Sequence, residues 1–142
     1  MSREDSQFKL RMPSDLRESI EEASREAKRS LNAEIVARLE MSVVKESTGE
    51  NLIPAKKAQQ LATMARQSIP ATIKKRILEA INQAIAMGHA TAAVDFKDME
   101  LDALPREDVN QILDVFTEWL HEAGYAVEWD GPDSLWVQFD DL

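Results

Sequence analysis

Apolar and polar residues alternate between positions 7 and 12, which predicts a half-buried strand. Its two faces are Phe8, Leu10 and Met12 on one side and Gln7, Lys9 and Arg11 on the other. Pro13 ends the strand, because proline has no N–H to donate to a β-ladder.

A helical period follows the proline. Ser14 is predicted to cap a first helix of about 14 residues, and Ser30 to cap a second that reaches about residue 46. Their apolar stripes are Leu16, Ile20, Ala23 and Ala27 in the first helix, and Leu31, Ile35, Val36, Leu39 and Val43 in the second. Each helix is therefore expected to bury one face.

The first half ends in a run of turn-forming residues. Residues 46–54, ESTGENLIP, are typical of a linker, and the thinner apolar stripe of 55–67 predicts a connecting helix. The chain is therefore divided into a domain at 1–48, a linker with a connecting helix at 49–69 and a second domain at 70–142.

The second domain mixes helices and strands. A helix is predicted from Pro70 to Gly88, a strand at 91–96 and another helix from Pro105 to Gly124, because proline favours a first turn and glycine a C-terminal cap. A hairpin follows, with strands YAVEWD and SLWVQFD around the turn GPD. The predicted class is α+β, in the order helix, strand, helix, strand, strand.

Charge is distributed in blocks. The net charge of −9 is composed of −2 at residues 1–50, +5 at 51–88 and −12 at 89–142. This acidic balance argues against a uniformly basic nucleic-acid surface, so a polyanion would have to be bound locally. This division into blocks indicates that the segments contact different partners. A charged surface exposed to solvent is the simpler alternative.

Little in the composition supports catalysis, and no catalytic, metal-binding or cofactor-binding residue is expected. The chain has no Cys and two His without HExxH spacing. An acidic run lacks the Gly and terminal Glu of an EF-hand, and is predicted to be a solvated loop; it comprises Asp95, Asp98, Glu100 and Asp102. Without a long apolar run or an apolar leader, no membrane segment is expected, and the location is predicted to be cytoplasmic and nucleoid-associated.

The strand at 7–12 poses a pairing problem. Two helices and one strand offer it no partner, and unpaired backbone groups are costly, so a second copy is the expected partner. Two such strands form an antiparallel ribbon that fits the major groove of duplex DNA. Its outer face would be Gln7, Lys9 and Arg11, side chains that can donate to purine edges; a solvated strand face is the alternative.

The whole unit resembles the ribbon-helix-helix repressors of the Arc and Mnt type found in phages. The resemblance rests on residues 7–40 and extends with the second helix to residue 46: QFxLRxP, an amphipathic helix and RSxNxEI occur in order without insertion. It implies that Gln7, Lys9 and Arg11 bind base edges of an operator. Lys9 stands where Arc has Asn.

The resemblance also implies roles around the second helix. Backbone N–H groups at Ser30, Leu31 and Asn32 would hold a DNA phosphate, with a simple helix cap at Ser30 as the alternative. Arg29, Glu34 and Arg38 would form a structural triad, as opposed to an exposed ion pair.

These observations favour a sequence-specific repressor that binds a double-stranded DNA operator as a homodimer. Its C-terminal domain would assemble dimers into a higher oligomer or bind a protein partner. The alternative is an antitoxin with the same DNA-binding end, whose acidic C-terminal domain neutralises a toxin; an enzyme is a third, unsupported class. The aromatic residues Trp119, Trp129, Trp136 and Phe139 are expected in the C-terminal core, with partner binding as the alternative.

Overall fold

The computed structural model describes residues 5–46 and 52–139, so most of the predicted linker lies outside the described residues. The chain forms two compact units, which divide between Ser68 and Ile69. The fold class is α+β, as the patterns predict.

The described part of the first unit, residues 5–46 and 52–68, contains three helices. They are α1 at Ser14–Glu26, α2 at Leu31–Glu46 and α3 at Ala55–Gln67. The prediction that Ser14 caps α1 is wrong, since Ser14 is the first helical residue and Pro13 takes the cap position with φ −54° and ψ 144°. The fixed φ of proline suits this extended geometry, and its carbonyl accepts the first helical hydrogen bond, from the N–H of Arg17 at 3.0 Å.

A left-handed residue ends α1. Lys28 has φ 57°, and two backbone bonds enclose the turn: the N–H of Lys28 donates to the carbonyl of Arg25 at 3.1 Å and that of Arg29 to the carbonyl of Ser24 at 3.0 Å. This is the Schellman pattern, which usually employs glycine. The turn that leads into α2 is therefore held at a conformational cost of about 1–2 kcal/mol.

The second unit has two helices on one face of a three-stranded antiparallel sheet. Its elements are α4 at Ile69–Ala86, β1 at Thr91–Asp95, α5 at Arg106–Glu122, β2 at Ala126–Asp130 and β3 at Ser134–Gln138. The strand order is β1-β3-β2. Gly88 and Gly124 follow the helices with φ of 74° and 94°, in keeping with their predicted role as C-terminal caps.

The core of this unit lies between the helices and the inner sheet face. Its most buried members include Ile73, Ile77, Phe96, Leu101, Leu120 and Leu135. Trp119, Trp129 and Phe139 pack against this cluster. The core prediction for Trp136 is wrong: its side chain is 47% exposed, because Leu135 and Val137 occupy the inward positions of β3.

The four acidic residues of the run are exposed, as predicted, and two of them also accept hydrogen bonds. Asp98 accepts two hydrogen bonds from Arg76, at 2.6 and 2.7 Å, and Asp95 accepts one from the backbone N–H of Lys97 at 2.9 Å. The hydrogen bonds from Arg76 lower the pKa of Asp98 below its ordinary value. Two of the four carboxylates thus stabilise the segment between β1 and α5.

Candidate nucleic-acid interface

The most enclosed polar group in the first unit is the carboxylate of Glu34. Its side chain is 2% exposed, and it accepts a hydrogen bond from Nε of Arg29 and another from Nε of Arg38, each at 2.6 Å. Arg38 is four residues away on the same helix, and Arg29 precedes that helix. The three residues of the sequence-derived triad therefore lie together.

Two opposing effects act on the pKa of Glu34. Burial alone would raise it, but the hydrogen bonds and charges of Arg29 and Arg38 outweigh burial and hold it below the ordinary value of 4.5. The carboxylate is therefore ionised in the folded protein at neutral pH.

The lowered pKa predicts a loss of stability in acid. The unfolded chain takes up a proton at Glu34 near pH 4.5, whereas the folded chain resists protonation. The contribution is therefore complete above that pH and is lost as pH falls through the folded pKa. Chemical denaturation between about pH 3 and pH 7 should show a steeper acid loss in the wild type than in Glu34→Gln. Parallel curves for the two proteins would contradict this account.

The N-terminus of α2 leaves donors free. Ser30 is the cap, since its Oγ accepts the N–H of Ala33 at 3.1 Å and its carbonyl accepts that of Glu34 at 2.9 Å. Within the described chain, the N–H groups of Leu31 and Asn32 have no protein acceptor. Free N–H groups at the positive end of a helix dipole suit an anion such as a phosphate. The cap at Ser30 is thus compatible with the predicted phosphate contact, which stays a prediction.

The segment before α1 is exposed and forms no strand in a single chain. Gln7, Lys9 and Arg11 are open to solvent, and none of them has a hydrogen bond or ion pair with another described residue. On the other side of the segment, Phe8 is 86% exposed and Leu10 is also exposed. The strand and the ribbon therefore stay predictions, because both require a second copy.

Apolar side chains on α2 are exposed as well. Val36, Leu39 and Val43 are open to solvent in the single chain, and with Phe8 and Leu10 they leave a large apolar area without cover. Exposed apolar patches of this kind mark association sites.

Sequence reasoning missed the contacts of Arg29 outside the triad. Its Nη1 donates to the carbonyl of Met64 and to Oε1 of Gln67, both at 3.2 Å, and its Nη2 donates to Oγ of Ser68 at 3.0 Å. No local signal could have revealed them, since these residues lie 35 to 39 positions away along the chain.

Comparison with known families finds a match within the first unit. Residues 2–49 match the family model of the Arc-like DNA binding domain. The resemblance drawn from residues 7–46 is thereby confirmed, and the match ends before α3. The C-terminal domain is not recognised.

A curated relative supports the Arc-like domain. The chain is 46% identical over 52 residues to "Transcription factor AmrZ" of Pseudomonas ogarae. That segment covers 36% of this chain and 48% of the relative, so the chain spans about half the length of the curated protein that it matches. No solved structure matches the chain.

Across residues 5–46 and 52–139, no cluster of His, Cys, Asp and Glu side chains is arranged to hold a metal ion. In the same residues, no helix combines the length and the apolar character needed to cross a membrane.

Proposed function

We propose that this protein is a DNA-binding transcriptional regulator that acts as a homodimer and inserts a two-stranded ribbon into the major groove. The proposal depends chiefly on one observation: a segment at 7–12 with alternating polar and apolar side chains, exposed from 7 to 11, precedes α1 in a domain that matches the Arc-like family. Pairing of this segment with its copy would satisfy the backbone and cover Phe8 and Leu10.

The polar face of the ribbon would read the operator. Lys9 and Arg11 can donate to O6 and N7 of guanine, and Gln7 can form a bidentate pair with adenine. Lys9, where Arc has Asn, favours an acceptor-rich base at its position. Three side chains from each copy would then specify the sequence.

The start of α2 would fix the position of the dimer on the duplex. The free N–H groups of Leu31 and Asn32 can bind a phosphate, and such contacts set register without reading sequence. Ser30 would keep the turn closed while its neighbours bind DNA.

Repression at an operator is the regulatory outcome that we infer, as for the phage repressors that the domain resembles. A dimer seated on a promoter would block access to it. Such a protein works where the DNA lies, in the cytoplasm, and a phage or prophage origin agrees with the resemblance.

Arg11→Ala is expected to weaken binding to the selected operator by about 1–3 kcal/mol and to relax base preference at one position, while folding is unchanged. Binding-site selection from random duplexes, followed by anisotropy titration, measures both effects. Lys97→Ala, which removes a charge from the second unit, is the matched control and should leave both unchanged. Undiminished affinity and preference in Arg11→Ala would remove Arg11 from the reading surface.

The second unit is proposed to couple dimers or to bind a protein partner. The composition of its outer sheet face favours the second role, binding of a protein partner. Trp136 lies at the centre of this face, directly between Ala93 of β1 and Glu128 of β2. The nine outward positions of the three strands include the carboxylates of Asp95, Glu128 and Asp130 and no basic side chain. Two such faces would repel each other, whereas a basic segment could stack on the indole. This charge pattern is what supports the antitoxin alternative.

Sedimentation equilibrium of the full chain separates the two roles. A species larger than a dimer supports coupling of dimers. A dimer that co-purifies with a basic protein encoded beside it, and loses that protein in Glu128→Lys, supports the antitoxin. Glu118→Lys makes the same charge change on α5 and should retain the partner.

A further inference from the structure

Helix α3 runs antiparallel to α2, along the Arc-like domain. At its start, Lys57 forms an ion pair with Glu40, in the later part of α2. Leu61 is buried in the middle of the helix, and the last turn reaches Arg29, immediately before α2. Since the family match ends at residue 49, α3 is an addition to the matched domain.

The last turn of α3 holds the guanidinium of Arg29 from one side while Glu34 holds it from the other. Nη1 donates to the carbonyl of Met64 and to Gln67, and Nη2 donates to Ser68. Carbonyls at a helix C-terminus are negative and lack helical partners, so they suit an arginine. With a side chain only 11% exposed, Arg29 has its planar fork fixed by both helices.

The backbone of Arg29 belongs to the turn that starts α2. Its own N–H donates to the carbonyl of Ser24 in α1 at 3.0 Å, and the next residue, Ser30, caps α2. Arg29 thus connects the end of α1, the start of α2 and the end of α3.

We propose that Gln67 and Ser68 are positioning residues for DNA binding: through Arg29, they hold the turn whose free N–H groups bind a backbone phosphate. The proposal rests on the proposed function. Without these two acceptors, the guanidinium keeps only its bonds to Glu34 and to the carbonyl of Met64, so its terminal nitrogens are held less firmly. The turn at Lys28 already adopts an unfavourable left-handed conformation, so it depends on such outside support. The second unit begins at Ile69, which places these positioning residues directly before it.

The test uses full-length protein carrying Gln67→Ala and Ser68→Ala together, with Gln59→Ala and Gln60→Ala on the exposed part of α3 as the matched control. Anisotropy titrations are made on the selected operator, unmodified and with a neutral methylphosphonate at one backbone position at a time, below the melting temperature of each protein. The N–H groups of Leu31 and Asn32 carry no formal charge, so their contact is detected by neutralising the phosphate that they hold. For the wild type, we expect about a tenfold loss of affinity at that phosphate. For the double variant, we expect a similar loss on the unmodified operator and no further loss at that phosphate. The control and Ser68→Thr, which keeps the hydroxyl, should behave as the wild type.

The methylphosphonate series separates positioning from mere stabilisation, because a partly unfolded sample loses the same factor of affinity on every duplex. If the double variant still loses as much affinity as the wild type at that phosphate, the positioning role alone is overturned. If the double variant does not fold, the same titrations are made with Ser68→Ala alone, and the same two outcomes support or overturn the positioning role. If the wild-type protein binds no duplex, the proposed function fails, and the positioning role fails with it.

Discussion

Glu34→Ala is expected to lower the free energy of unfolding by about 3 kcal/mol, the largest effect of any polar substitution in the first unit. The carboxylate is enclosed and accepts two short hydrogen bonds. Its removal leaves Arg29, itself largely buried, without its counter-charge. Arg38 is half exposed and can turn to water, so the cost falls at the lower end of the range for broken buried pairs. Urea denaturation at neutral pH measures it.

A second ion pair that involves α2 gives the control. Glu40 pairs with Lys57, but both side chains are partly solvated, and such pairs contribute about 1 kcal/mol at most. Glu40→Ala should therefore cost much less than Glu34→Ala. Equal costs would show that burial of the Glu34 network has no special effect on stability.

Leu10→Asp is expected to raise the dimer dissociation constant by at least about a hundredfold, roughly 3 kcal/mol. In the proposed ribbon, the apolar side of the strand is covered by the helices, so the substitution would bury an unpaired charge. In the single chain Leu10 is exposed, so nothing there predicts such a penalty. Sedimentation equilibrium measures dimerisation, and operator binding should be lost with it.

The neighbouring residue separates the two faces of the strand. Lys9→Asp places the same side chain one position earlier, on the outer face, where it should abolish operator binding and leave the dimer intact. Loss of the dimer in both variants, or in neither, would contradict the predicted alternation.

The helical spacing of apolar residues predicted the helices well, because it specifies a buried face without information from distant residues. The spacing of Glu34 and Arg38 likewise predicted a contact within one helix. The hydrogen bonds between Arg29 and the end of α3 could not be predicted. They join residues that are far apart in sequence, and nothing in the pattern of polar side chains indicates which of them form a contact. The ribbon could be inferred only from the unpaired strand and the family resemblance.

For Trp136, composition gave the wrong prediction of burial. A small domain with several large aromatic residues was expected to bury all of them. The alternation in β3 instead groups Trp136 with Ser134 and Gln138, opposite Leu135 and Val137, and the helices cover the aliphatic side. At this position, the two-residue alternation of the strand predicted burial better than the volume of the side chain did. Ser14 similarly showed that a preceding proline can take the cap position from a serine.

NMR on a mixture of isotopically labelled and unlabelled full-length chains tests the central claim most directly. The account predicts contacts between residues 8–12 of one copy and the same segment of the other, in antiparallel register, with backbone amides protected from exchange. A stable monomer in which these amides exchange as fast as those of an unpaired chain would contradict it.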